Sequence, residues 1–269
     1  MKLSKAITTL VSLHFYCFSL FADQPIMSEV PRWDGGYGFQ VFQEFRWSDQ
    51  LRLGSDKQNN ALGLDYTKAI THFEGVYTWH KWIRFTFKIP YVVQSRKVDQ
   101  GGNVVKQKGQ GFDDIKLALP LKKYFNKRGY SGNFGFVPQV RAFGDDNDAY
   151  KISDGSTDPG CSLSYEFENA LLKFHFDATY WFEQDDSYKD ELGLDLGLGW
   201  NFHDRGSVAV ESEYIEDENT WLSVGPAFFW NFNDIILSRI EYKHPIHEHR
   251  DVLSISRGKI FRLGVGAVF

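Results

Sequence analysis

The clearest signal along the chain is a hydrophobic period of two. Between Tyr37 and Ser48 the positions Tyr37, Phe39, Val41, Phe45 and Trp47 are apolar or aromatic, and Gln40, Glu44, Arg46 and Ser48 fall between them. Successive side chains of a strand point to opposite faces, so the segment predicts an extended strand with one oily and one charged face. Ile83 to Tyr91 repeats it, with Ile83, Phe85, Phe87, Ile89 and Tyr91 set against Arg84, Thr86 and Lys88. The same alternation runs through Ile115–Lys122, Phe134–Ala142, Cys161–Phe167, Phe174–Phe182, Leu192–Phe202, Val208–Tyr214, Leu222–Phe232 and Phe261–Phe269. Two weaker segments, Leu62–Trp79 and Ile235–Lys243, bring the number of predicted strands to twelve.

A soluble β-sandwich alternates too, with the oily face as its core. In a membrane barrel the oily face meets lipid and the polar face lines the lumen. The connections favour the barrel. Those near His80–Trp82, Phe125–Tyr130, Glu168–Ala170, His203–Gly206 and Asn233–Asp234 are short, and those near Asp49–Ala61, Ser95–Gly109, Gly144–Asp158 and His244–Gly258 are long. Short periplasmic turns, long outer loops and an even strand number are the outer-membrane arrangement. Aromatics also gather at strand ends. Tyr77, Trp79, Tyr124, Phe125, Trp200, Phe202, Trp230 and Phe232 are expected on the short-turn side, with Trp47, Tyr91, Tyr180, Phe182, Tyr214, Trp221 and Tyr242 on the other. Two such belts are expected where rings sit at headgroup level. The expectation is therefore an all-β fold: an antiparallel, up-and-down transmembrane β-barrel of about twelve strands in the outer membrane of a Gram-negative bacterium.

Composition sharpens this picture. Mean hydropathy is −0.38, and outside the N-terminus no apolar run approaches the roughly 18 residues that a membrane helix needs. Yet 17% of the residues are aromatic, which suits strands that are apolar on one face only. Residues 1–22 have the form of an export signal: Lys2 and Lys5, then a largely apolar stretch from Ala6 to Phe21, then Ala22 before Asp23. A lipoprotein signal would need small residues before Cys17, where His14, Phe15 and Tyr16 stand. Residues 23–34, with Pro25, Pro31 and Trp33, carry no strand pattern and are expected as a periplasmic tail or a plug in the lumen, ahead of a barrel over 35–269. The formal net charge of −5 becomes more negative once the signal and its two lysines are removed. Nucleic acid is thereby excluded as a partner. With Cys17 in the signal, Cys161 stands alone, which excludes an internal disulfide and suits a small wall residue.

Several stretches resemble the outer-membrane family named for the meta-pathway of phenol degradation, whose members are regarded as transporters. Gly109-Gln110-Gly111-Phe112-Asp113-Asp114-Ile115, followed by Leu117 and Lys123-Tyr124, resembles that family's GxGD strand opening, although Phe112 stands before the aspartate here. Phe134 to Gly144, with Pro138, Arg141 and then Asp145, is similar to its FxPxVRxPTGD segment. Thr157-Asp158-Pro159-Gly160 resembles the start of the next strand, and Tyr242-Lys243-His244-Pro245-Ile246 the end of the penultimate one. The resemblance implies a barrel that passes small hydrophobic or aromatic compounds.

The polar faces collect charges of both signs. Glu44, Arg46, His72, Glu74, Arg84, Lys88, Asp114, Lys116, Arg141, Lys173, His175, Asp177, Asp195, Glu211, Glu213, Arg239 and Arg262 are the candidate pore-lining residues, with Lys122, Glu166, Glu241 and Lys243 on the same faces. They line either a hydrated pore that selects solutes by charge or a narrow lumen closed by cross-strand ion pairs. The late acids Asp177, Glu191, Asp195, Glu211 and Glu213 and the earlier bases Arg84, Lys88, Lys116 and Lys122 predict opposed walls and a field across the pore.

His244, His247 and His249 could bind zinc or copper, and Asp145, Asp146, Asp148, Asp154 and Asp158 could hold Ca²⁺. Neither set has the spacing of a dedicated site, so solvated loops, no metal and no cofactor are expected. A lipid hydrolase would need a Ser–His pair on the outer face, whereas Ser212 and Ser238 are read as outward and His72 and His175 as inward. No enzyme is expected. The functional expectation is a passive outer-membrane channel or uptake protein. Its partners would be membrane lipid, a small solute and, through the terminal Phe269, the outer-membrane insertion machinery. The alternatives are a structural or adhesive barrel acting through its outer loops, or a barrel hydrolase.

Overall fold

The computed structural model describes residues 35–100, 103–145, 152–153, 155–185 and 188–269. The expected signal (1–22) and the tail or plug (23–34) lie outside the described residues. The elements are β1 (Gly36–Ser48), β2 (Leu51–Gly54), β3 (Asp56–Gln58), β4 (Tyr66–His80), β5 (Ile83–Gln100), β6 (Asn103–Phe112), β7 (Ile115–Ala118) and β8 (Leu121–Lys127). They continue with β9 (Tyr130–Ala142), β10 (Asp158–Asn169), β11 (Leu172–Trp181), β12 (Glu191–His203), β13 (Gly206–Glu216), β14 (Thr220–Asn231), β15 (Ile236–Ile255) and β16 (Lys259–Val268).

Each wall strand pairs antiparallel with its neighbours, and β1 pairs with β16 while β14 pairs with β15, so the sheet closes on itself. Tyr37 N donates to Phe269 O at 3.0 Å and Phe269 N to Tyr37 O at 2.8 Å, which seals the seam between the ends of the barrel. With β6, β7 and β8 as three pieces of one crossing and the β2–β3 hairpin set apart, the wall has the twelve strands that the periodicity predicts. Closure leaves no open edge within the wall, the condition for a sheet to sit in lipid.

The extra elements arise where sequence reasoning sees loops or one uninterrupted strand. Pro120 has no N–H to give the ladder and splits the expected Ile115–Lys122 strand into β7 and β8; its carbonyl still accepts from Arg84 N at 3.0 Å. Pro90 in β5 lies where the partner strand breaks between β6 and β7, and its carbonyl accepts from Asp113 N at 3.0 Å. The expected long connection Ser95–Gly109 is instead the tall β5–β6 hairpin, paired up to Gln100 and Asn103. The connection after β1 carries the small β2–β3 hairpin, which pairs with the top of β15. The expected His244–Gly258 loop is the upper half of β15.

The burial pattern identifies what each face meets. Phe39, Val41 and Phe45 are 52, 50 and 43% exposed, while Gln40 and Glu44 between them are 3 and 1% exposed. Leu198 and Val210 stand out at 57% each, opposite buried Glu211. The molecule is thus inside out relative to a soluble protein: the greasy rows are its surface, and the charged rows are its interior. It is a transmembrane β-barrel of the outer-membrane type.

Candidate functional site

The interior of the barrel is the candidate site, and its middle is an ion-pair network. Arg262 (β16) reaches Glu44 (β1) at 2.7 Å, Glu241 (β15) at 3.3 Å and Glu213 (β13) at 3.1 Å. Lys243 (β15) holds Glu213 at 2.8 Å, Glu241 at 2.9 Å and Asp195 (β12) at 3.6 Å. Arg239 joins Glu241 at 2.7 Å, and Arg46 pairs with Glu44. Strands β12 and β15 are separated by two others, as are β13 and β16. These contacts therefore brace one side of the lumen.

Phe42, on the inward face of β1, stacks on His72 with 4.5 Å between ring centroids, and Lys88 and Arg262 sit over it at 5.6 and 5.9 Å. Lys88 also reaches Glu74 at 3.4 Å, which accepts from Gln40 at 3.2 Å. Farther round, Lys122 pairs with Glu166 at 2.6 Å, His175 faces Glu211 at 3.0 Å, and Arg84 donates to Tyr124 Oη at 2.9 Å. Gly197 lies where any Cβ would collide with the His175 ring, so the His175–Glu211 pair depends on a glycine beneath it.

The seventeen candidate pore-lining residues all have the inward register or lie at its upper border, as Asp114 does. The structure brings most of them into contact. Asp177 is 2% exposed between Ser164 and Asp195 in the register. Lys173 sits lower, 3.6 Å from Glu168. The expected opposed walls resolve into local pairs. Asp195 and Glu213 lie within 3.6 Å of Lys243, Glu211 faces the His175 imidazole at 3.0 Å, and Lys88 and Lys122 each face an acid. Short-range pairing lowers the energy of such charges more than separation across the lumen would.

Between these charges the wall of β9–β12 also carries a band of small uncharged residues. Ser162, Ser164, Thr179, Gln139 and Gly193 face inward along β9–β12, with Ser162 Oγ 2.9 Å from both Thr179 Oγ1 and Gln139 Nε2. Ser164 Oγ, Asn133 Oδ1 and Ser223 Oγ are buried without a hydrogen-bond partner in the protein. Buried polar atoms of this kind require water. At the periplasmic end a cavity of about 540 Å³ opens between Lys173, Asn201, Arg205, Phe229, Asn231 and Ser238.

The outer end is capped from within. Ile152, 7% exposed, packs on Ile70 and Val92, two inward residues of β4 and β5, and Ser153 Oγ donates to Asp114 Oδ1 at 2.5 Å. Trp181 is buried under Lys116 at 5.2 Å and Arg141 at 4.9 Å. Arg141 in turn holds Asp158 at 3.0 Å, Glu191 at 3.4 Å and Glu183. Glu248, 1% exposed, accepts from Arg250 at 2.7 Å and from Arg257 N at 2.8 Å, and lies 3.5 Å from Arg52.

Several sequence readings are corrected here. Trp221 does not belong to the outer belt: it is 1% exposed and faces inward opposite Glu248. Tyr124 points inward to Arg84 rather than outward. Asp158 is not in a solvated loop but fully buried in β10. The three histidines lie not in a loop but on β15, where His244, His247 and His249 pair with Val224, Leu222 and Thr220 and the register shifts at Ile246 between them. Among the described residues no three His, Cys, Asp or Glu are placed to hold a metal. Ser212 and Ser238 bond to the carbonyls of Leu196 and Trp230, at 3.3 and 3.2 Å. Ser55, His249 and Asp251 do meet, at 3.2 and 3.4 Å, at the exposed rim of the barrel. Phe42, Trp181, Ile152, Arg52 and Glu248 are site residues that the periodicity does not single out. For Phe42 the signal is visible, since it takes a polar position in an otherwise alternating strand.

No protein-family model matches the chain, and no curated protein matches it by sequence. Solved structures do. The chain is similar to an outer-membrane channel from Pseudomonas putida F1, with a TM-score of 0.74 at 14% identity over 92% of this chain and 100% of that one. It is more loosely similar to the KdgM porin (TM-score 0.48, 12% identity, 86% of this chain and 99% of that one) and to the CymD monoaromatic hydrocarbon channel (TM-score 0.44, 8% identity, 88% and 89%). The first of these fixes the fold as that of an outer-membrane barrel; the other two are too distant to carry an argument.

Proposed function

We propose that the barrel is a passive channel through which small molecules cross the outer membrane, with hydrophobic and aromatic compounds as its solutes. The carrying observation is the division of the interior. The charges of β1, β13, β15 and β16 are locked to one another, which leaves Ser162, Ser164, Thr179, Gln139 and Gly193 on β9–β12, with Asp177 and His175 among them, beside a hydrated path. A solute moves down its gradient along that wall. The braced cluster around Arg262 and Lys243 sets the width, and rings such as Phe42 offer stacking surface. No step consumes energy. The preference for aromatic solutes is supported by the resemblance of the Gly109–Ile115 and Phe134–Gly144 motifs to the meta-pathway family. The likeness to a solved channel supports the transport role. Phe269, 62% exposed at the end of the closing strand, is the contact we assign to the insertion machinery.

Planar-bilayer recording tests the reading. The wild-type barrel is expected to give small, discrete steps. Neutralising the pair that links β13 to β16, Arg262→Gln with Glu213→Gln, is expected to raise the conductance roughly twofold by freeing cross-section. A neutral monoaromatic should enter proteoliposomes faster than a polyol of equal size. Correctly folded protein without steps or flux would overturn the channel, and equal rates for the two solutes would overturn the aromatic preference.

A further inference from the structure

The outer surface carries a hollow that the channel does not use. In the register, Lys259, Trp47, Thr67, Ser95 and Lys108 follow one another across β16, β1, β4, β5 and β6. The next row toward the membrane centre is Phe261, Phe45, Ala69, Val93 and Gln110. All of these alternate with inward residues and so point outward. Ala69, Thr67 and Ser95 are short between the larger Phe45 and Trp47 on one side and Val93 and Lys108 on the other. The result is an apolar groove of about 790 Å³ at the end of the barrel that bears the long connections. Most of the outer surface is ridged with Phe, Leu, Val and Trp, which loose acyl chains cover well; a concave site calls for a fixed occupant.

The charge above the groove defines that occupant. Lys108 stands at its rim and Lys106 is two residues farther along the same face of β6; both are exposed. Lys97, beside Lys106 in the ladder, is paired with Asp65 at 2.5 Å, and Asp99 lies farther out on the same face. Lys106 and Lys108 therefore form a cationic border directly over an apolar slot, with the Trp47 ring at its side. We infer that this groove is a binding site for a phosphorylated lipid of the outer leaflet, one acyl chain lying over Ala69 between Phe45 and Val93 and the phosphate held by Lys108 and Lys106. An ammonium pair at headgroup level recognises an anionic head, and the Thr67 and Ser95 hydroxyls lie where the apolar chain gives way to the polar head. The site is independent of what passes through the lumen.

Native mass spectrometry of the detergent-purified full barrel tests this with three probes: bis-phosphorylated lipid A, the same lipid with its phosphates removed, and phosphatidylethanolamine. The wild type is expected to retain one bis-phosphorylated lipid and little of the others. Lys106→Gln with Lys108→Gln should lower that retention at least fivefold and leave the dephosphorylated lipid unchanged. Ala69→Trp, which fills the groove, should lower retention of both lipid A forms. Heat-dependent gel mobility reports whether each variant is folded, and Ala69→Phe serves if the tryptophan variant is not. Equal retention of the three lipids by the wild type, or retention unaltered in both folded variants, would overturn the site.

Discussion

At the scale of single residues, the interior is a set of charges that are tolerable only in company. Lys243 is 1% exposed and touches three carboxylates. Removing one partner of a buried pair costs about 3–5 kcal/mol because the remaining charge stays buried without compensation. Lys243→Met leaves Glu213, Glu241 and Asp195 crowded together and should lower the temperature at which the barrel loses its compact gel mobility. Adding Glu241→Gln should recover part of that loss. A Lys243→Met barrel that unfolds with the wild type would show that the network is not bracing the wall. The lipid face contains a smaller version of the same rule. Gln43 and Thr71 point outward, and Thr71 Oγ1 donates to Gln43 Oε1 at 2.7 Å while Gln43 Nε2 donates to Ile70 O at 3.0 Å. Both polar side chains are thus satisfied within the wall.

At the scale of elements, the period of two locates all twelve crossings. It fails where something other than alternation decides the structure. Pro120 breaks a strand through a missing donor, not through hydropathy. The β5–β6 hairpin rises past Ser95 on polar residues with no greasy face to announce it, and the upper half of β15 does the same past His244. These are strands made by backbone pairing beyond the membrane, where neither face has to be apolar. Of the site, the identity of the inward charges is legible because register assigns every second residue to the lumen. Their pairing is not, because Arg262–Glu213 and Lys243–Asp195 depend on the curvature of the closed wall, which brings strands three positions apart within reach. Nor is the placement of Ile152 and Ser153 inside the outer mouth. Phe143, at φ 68°, turns the chain as it leaves β9, in a region that costs a bulky residue energy and is retained where the surroundings demand it. Beyond it, Ile152 lies against Ile70 and Val92. Replacing Ile152 by Asp forfeits about 1.5–3 kcal/mol of apolar burial. It should speed amide exchange at Ser153 and Gly155 by about tenfold or more, since 1.4 kcal/mol is a factor of ten in an opening equilibrium. Unchanged exchange would mean that Ile152 does not hold the connection in place.

At the scale of the whole molecule, the barrel is a single inversion: greasy rows outside in acyl chains, polar rows inside in water. Closure through β1 with β16 and β14 with β15 makes the inversion stable, and the bracing of the charges on β1, β13, β15 and β16 beside a band of small polar residues on β9–β12 makes a channel of it. The most direct measurement is thiol reactivity in membranes on a Cys161→Ala background. Ser162→Cys, Ser164→Cys and Thr179→Cys should react with a small water-soluble thiol reagent. Leu196→Cys, Leu198→Cys and Val210→Cys should resist that reagent, and fluorophores attached to them in detergent should be quenched by brominated lipid after reconstitution. Equal reactivity of the two sets, or quenching of the serine and threonine positions in place of the leucine and valine ones, would contradict it.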